Sequence, residues 1–109
     1  MTSKKTASSK RTLLPRASDH TQKFIKDWER LSESGRYDMK RLKEVMLMLI
    51  ANESPLGPEW FDHPLKGEWA DHSECHIGGD FLLIYQLQGS ATNEMLSFVR
   101  AGSYADLFE

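Results

Sequence analysis

An α+β domain, a two-helix hairpin packed on a small antiparallel β-sheet with a short helical turn at the C-terminus, is the expectation from sequence. Three observations carry it. Apolar residues recur at helical spacing from about residue 19 to 50, strand-like apolar runs begin near 69, and a stretch rich in Pro and Gly separates the two regimes. The chain's 109 residues, 39% of them hydrophobic, are enough to bury one core, and nothing asks for a second domain.

Residues 1–10, "MTSKKTASSK", are rich in Ser, Thr and Lys and short of apolar side chains. Burial there cannot offset the entropy of ordering, so a flexible basic tail is expected, followed by a single domain over 11–109. A short extended segment around 12–16 comes next, confined to a sheet edge by Pro15. Ser18 or Asp19 can cap a helix reaching about residue 33, with Phe24, Trp28 and Leu31 on one face and Lys23, Lys26, Asp27 and Arg30 elsewhere. Gly35 ends it. Asp38 can cap a second helix, in which Met39, Leu42, Val45, Met46, Leu49 and Ile50 form a broad apolar stripe while Lys40, Arg41, Lys43 and Glu44 stay outside. The short link between them favours an antiparallel pair.

From 52 to 67, Pro55, Gly57, Pro58 and Pro64 mark a long ordered loop of the kind that often carries function. Three strands are expected after it, over 69–77, 81–87 and 95–101. The middle run, "FLLIYQL", is nearly all apolar and suits the best-covered strand. Gly78 and Gly79 can make the tight hairpin turn. Gly102 breaks the last strand, and "SYADLFE" can form one helical turn capped by Ser103 and pinned by Leu107 and Phe108. The element order is then β-α-α-β-β-β.

The net charge of −2 conceals an uneven distribution. Lys4, Lys5, Lys10, Arg11 and Arg16 open the chain with no acid among them, whereas Lys66 and Arg100 are the only cations beyond Ala51. A nucleic-acid surface would therefore use the first half. No apolar run is long enough to cross a bilayer or to act as a signal peptide, so the cytoplasm is the default location. The lone cysteine, Cys75, excludes an intramolecular disulfide and reads as a small buried hydrophobe.

The densest chemistry lies in "DHPLKGEWADHSECHIGGD", residues 62–80, with three histidines, five carboxylates and the cysteine. On a strand, Ala70, His72, Glu74 and His76 would share a face, with same-face neighbours roughly 6.6 Å apart. Two imidazoles would then flank a carboxylate, an arrangement able to exchange protons near neutrality. A merely solvated strand face explains the same spacing. Metal ligation by His-x-Glu-x-His lacks the paired-ligand spacing of well-attested zinc sites. A Cys-His nucleophile is disfavoured, because Cys75 and His76 are adjacent on a strand and point opposite ways.

Taken together, "DHPLKGEW", "ECHIGGDFLLIYQL" and "RAGSYADLF" closely resemble the YafQ-like branch of the RelE/ParE toxins of bacterial type II toxin-antitoxin pairs. The match runs from about 18 to 108, weakly over the helices and strongly from 62 onward. It implies a RelE-like fold and an endoribonuclease that cleaves mRNA in the ribosomal A site, inhibits translation, and is silenced by a cognate antitoxin. It also implies a reaction without metal or cofactor, in which the ribose 2'-hydroxyl attacks the adjacent phosphate. By position, His63 and His76 match the family's two histidines, Asp80 a catalytic aspartate, and Arg100 a cation near the scissile phosphate. Glu74, Lys66 and Phe108 fall in supporting positions. His63 is the expected general base and Arg100 the electrostatic stabiliser, with His76 and Asp80 orienting and tuning.

Tyr104 departs from the YafQ-like pattern, which has a histidine there. Tyrosine titrates near 10 and is a poorer proton shuttle, yet other RelE branches use a C-terminal tyrosine, so Tyr104 or His76 is expected as the acid. Lys23, Lys26, Arg30, Lys40, Arg41 and Lys43 are candidate contacts to ribosomal RNA, although solvated helix faces explain them as simply. The implied partners are an antitoxin, seated on the helical hairpin and the exposed sheet edge, and the ribosome with its message. No membrane is implied, nor DNA except through the antitoxin. Two other readings compete: a ParE-like gyrase poison, which would leave the matched histidines without a task, and a non-catalytic antitoxin-binding regulator, favoured by Tyr104 and the acidic second half. The turn discriminates as well. A Gly78-Gly79 hairpin puts Asp80 on the face away from His76, whereas a three-residue loop, or an Asp80 still inside the turn, joins them.

Overall fold

The computed structural model describes residues 14–52, 56–90 and 93–109, so the expected tail and the start of the 12–16 segment lie outside the described residues. In chain order the elements are β1 (Ala17–His20), α1 (Gln22–Ser34), α2 (Met39–Ile50), β2 (His63–Pro64), β3 (Ser73–Gly78), β4 (Phe81–Ser90), β5 (Asn93–Ser103) and α3 (Tyr104–Phe108). Short 3₁₀ turns at Pro58–Trp60 and Gly67–Trp69 bracket β2. The sheet order is β1-β5-β4-β3-β2. β1 runs parallel to β5 and the other pairs are antiparallel, so the sheet is mixed rather than purely antiparallel.

Local signals fixed both helix ends that the sequence marked. Gly35 takes the left-handed conformation (φ 71°) that terminates α1, and the Asp38 side chain accepts the Arg41 amide at the start of α2. The first helix starts later than expected. Ser18 and Asp19 are strand residues, paired with Leu96 and Ser97 of β5, and the cap passes to Thr21. Its hydroxyl accepts the Phe24 amide at 3.0 Å and donates to the Val99 carbonyl at 2.7 Å, tying the helix start to β5. Pairing with a distant strand has overridden the capping preference of Ser and Asp.

β4 is the central strand and is covered on both faces from Phe81 to Tyr85. On one side, Phe81, Leu83 and Tyr85 pack with Cys75, Ile77, Leu96 and Phe98 against Phe24 and Leu31 of α1 and Leu42, Val45 and Leu49 of α2. On the other, Leu82 and Ile84 meet Leu107 of α3, with Leu65, Trp69, Val99 and Phe108 around them. The short terminal helix is thus a lid on the second face. A capping box between Ser103 and Asp106 starts it. β3 begins at Ser73, four residues after the expected 69, because 67–69 form a 3₁₀ turn and Asp71 adopts φ 75°.

Candidate active site

β2 is only two residues long, but its pairing sets the site. His63 lies opposite Glu74 and Pro64 opposite Ser73. Pro64, with no N–H to donate, is tolerated because β2 is the edge strand. Side chains directly opposite in an antiparallel pair share a face, so His63, Glu74 and His76 converge. Glu74 is buried (7% exposed). Its Oε2 stands 3.3 Å from His63 Nε2 and 3.3 Å from His76 Nε2. His63 Nδ1 lies 2.6 Å from the Phe61 carbonyl. A carbonyl can only accept, so Nδ1 carries the hydrogen and Nε2 keeps its lone pair. These donor atoms of His63, Glu74 and His76 all lie within 4.8 Å of one another, which is also a geometry that could hold a metal ion.

Alternation along the strand predicts His72 as a neighbour of Glu74; the imidazoles that reach Glu74 Oε2, each at 3.3 Å, are those of His63 and His76. His72 precedes β3, its carbonyl accepting the Leu65 amide at 2.9 Å, its ring meeting Trp69 edge-on at 5.2 Å and its Nδ1 lying 3.2 Å from the Ala70 carbonyl.

Strand register extends the row. Glu74 faces Ile84, which faces Arg100, and His76 faces Leu82, which faces Gly102. Arg100 therefore belongs to the same face, two strands or about 10 Å from Glu74 at the backbone. Its guanidinium is held by Asp27 of α1: Nε donates to Oδ2 at 2.7 Å and Nη2 to Oδ1 at 3.1 Å. β1 stops opposite Phe98, leaving the outer edge of β5 open beyond it. There Asp27 Oδ2 also accepts the Ala101 amide at 3.0 Å, and Oδ1 accepts Arg30 Nη2 at 3.0 Å. Burial opposes the charge on Asp27, but the donors from Arg100, Ala101 and Arg30 outweigh it and hold its carboxyl below the ordinary carboxylate value. Arg30 reaches on to Asp106 at 3.1 Å, linking α1 to α3. The helical pattern sets Asp27 off the apolar face, yet it is 4% exposed and anchors this network. Among the described residues, Arg100 Nη1 is left without a partner.

The hairpin turn is Gly79-Asp80 rather than Gly78-Gly79, since Gly78 pairs with Phe81 and the register shifts between His76 and Gly78. Asp80 sits inside the turn, and its Oδ1 accepts the Tyr104 amide at 3.0 Å. The Tyr104 ring is 5.0 Å from Phe108, which meets Trp69 edge-on at 6.1 Å. Asp80 and Tyr104 thus meet at the end of the sheet, where Gly78, Phe81 and Ser103 form the row next to that of His76. Lys66 is exposed at the loop surface.

Three of the six candidate RNA-contacting cations have partners within the fold. Arg30 bridges Asp27 and Asp106, while Arg41 donates to the Ile77 carbonyl at 2.5 Å and lies 4.1 Å from the Trp60 ring centroid. Lys43 lies near the Trp28 ring. Lys23, Lys26 and Lys40 are exposed. Arg36, not singled out in the sequence, joins Tyr37, Arg41 and Asp80 around an open cavity of about 590 Å³ beside the turn. Cys75 is buried, and burial, with Asp62 and Glu74 adding to it, pushes its thiol far up, so it stays protonated and is no nucleophile.

Comparison with known proteins bears on the family and the fold. Residues 16–109 match a family model described as the bacterial toxin of type II toxin-antitoxin system, YafQ. The chain is 35% identical over 96 residues to the mRNA interferase toxin YafQ of Escherichia coli K12, covering 88% of this chain and 99% of that protein. It superposes on the toxin in the crystal structure of the E. coli DinJ-YafQ complex with a TM-score of 0.74 at 35% identity, covering 86% of this chain and 99% of that one. A metal-bound toxin from Helicobacter pylori gives a TM-score of 0.73 at 41% identity, with coverage of 85% and 99%.

Proposed function

Because the chain belongs to the YafQ family of bacterial type II toxins, we propose that it is an mRNA interferase that cuts message in the ribosomal A site and is restrained by an antitoxin. The observation that carries the chemistry is the single buried Glu74 oxygen shared by two imidazoles, one with its tautomer fixed. His63 Nε2 takes the proton from the ribose 2'-hydroxyl, and the new imidazolium is held by Glu74 on one side and the Phe61 carbonyl on the other. The 2'-oxygen bonds to phosphorus as the bond to the 5'-oxygen breaks. Tyr104 or His76 gives a proton to that leaving oxygen, and the products are a 2',3'-cyclic phosphate and a 5'-hydroxyl end.

Arg100, fixed through Nε and Nη2, offers its remaining N–H groups to the charge building on the phosphate. The nucleophile is part of the substrate, so no metal hydroxide is needed. A metal ion on His63, Glu74 and His76 would occupy the nitrogens that the reaction uses, so bound metal inhibits rather than assists.

DinJ is the protein joined with YafQ in the E. coli complex, and a comparable antitoxin is the partner proposed here. The exposed Lys23, Lys26 and Lys40 suit docking to ribosomal RNA. The fully exposed outer strand β1 suits addition of an antitoxin segment. The test is primer extension on message bound to ribosomes. Strand ends within the A-site codon, lost when the cut ribose is replaced by 2'-deoxyribose, are expected. Arrested translation with intact message would overturn the proposal, and a loss of supercoiling by gyrase would redirect it.

A further inference from the structure

Phe61 is a large apolar side chain left 67% exposed beside the histidine pair. Its backbone is left-handed, φ 48°, a conformation that aromatic residues seldom adopt and that concentrates at functional sites. The residues on either side explain how it is held there. Trp60 is buried at 3% exposure under the Arg41 guanidinium. Asp62 accepts the hydroxyl of the buried Tyr85 at 2.6 Å. The Phe61 amide donates to the Pro58 carbonyl at 3.1 Å, and its own carbonyl takes the His63 Nδ1 hydrogen. With both flanks and both backbone groups fixed, the ring is presented outward, 5.5 Å from the His76 ring.

Burial does not account for a ring two-thirds in solvent. We propose that Phe61 is a preformed stacking platform for one nucleobase of the message, that of a nucleotide flanking the bond to be cut. This rests on the nuclease reading above. Every base has a π-face, so the platform contributes grip and alignment rather than base choice.

The experiment is steady-state cleavage of ribosome-bound message by the full chain, with each variant's fold checked by circular dichroism. Phe61→Ala raises KM by about five- to a hundredfold with kcat little changed. Phe61→Trp restores the wild-type KM. Phe61→Leu, an apolar cover for His76 without an aromatic face, behaves like the alanine variant. A leucine variant matching wild type would overturn the platform, leaving Phe61 as packing for His76. Unchanged cleavage by Phe61→Ala with weakened antitoxin binding would overturn it in favour of a protein contact. A wild-type protein that cuts nothing would remove the nuclease reading and the platform with it.

Discussion

Replacing Asp27 with alanine takes away the acceptor shared by the Arg100 guanidinium, the Ala101 amide and Arg30. Ala101 is fully buried, so its orphaned N–H alone costs about 1–3 kcal/mol. Breaking a buried charge pair from one side costs about 3–5 kcal/mol, a figure that overlaps the first. Arg100 is about one-fifth exposed and regains some hydration, which places the total near the lower end, about 3–4 kcal/mol. For a domain of this size that lowers Tm by roughly 12–30 °C. Asp27→Asn keeps an acceptor for Ala101 and loses less, about 2 kcal/mol. Chemical and thermal unfolding followed by circular dichroism measures both. The folded Asp27 carboxyl lies below its ordinary 3.8, so its contribution is complete above that value and is lost as pH falls through the lower, folded one. The gap between wild type and Asp27→Asn therefore closes below about pH 4. A gap that stays constant from pH 7 to 3, or an alanine variant as stable as wild type, would refute the reasoning.

Other outcomes follow from the same geometry. Tyr104→Phe or His76→Ala lowers kcat in the cleavage assay, and normal rates in both would remove the acid assignment. Gly102→Ala puts a Cβ 2.8 Å from Asp106 Oδ2 and 3.1 Å from its Cβ, pressing on the start of α3, and costs about 1–3 kcal/mol by thermal melting. A chelator leaves cleavage intact while micromolar Cu²⁺ or Zn²⁺ suppresses it, and activation by either ion would contradict the internal-nucleophile mechanism.

The helices were legible because their signals are local: Gly35, Asp38 and the apolar stripe of α2 act within a few residues of themselves. The edge strands were not. β1, "ASDH", is exposed at every position and exists through pairing with β5, some 78 residues away, while β2 is two residues opposite Ser73 and Glu74. Neither leaves a periodic mark. Alternation alone puts His72 next to Glu74, but β3 begins only at Ser73 and the Glu74 carboxylate meets His63 and His76, the two histidines of the family motif. Asp27 did leave a signal. It falls three residues after Phe24 and four before Leu31, on the buried face of α1, and a carboxylate there requires a cationic partner, which Arg100 supplies from the far end of the chain. The grouping of His63 and His76 followed the family motif, whereas their union on one Glu74 oxygen depends on the β2–β3 register.

The most direct measurement compares wild type with Glu74→Gln and His63→Ala on the same ribosome-bound message in single-turnover cleavage. Glutamine keeps the size of Glu74 while removing the charge that would hold an imidazolium, and alanine removes the base. The expected result is A-site cleavage by wild type, a rate lowered by about 10²–10⁴ for His63→Ala, and an intermediate loss for Glu74→Gln, all with native circular dichroism. Wild-type rates in both folded variants would contradict a site built on this pair.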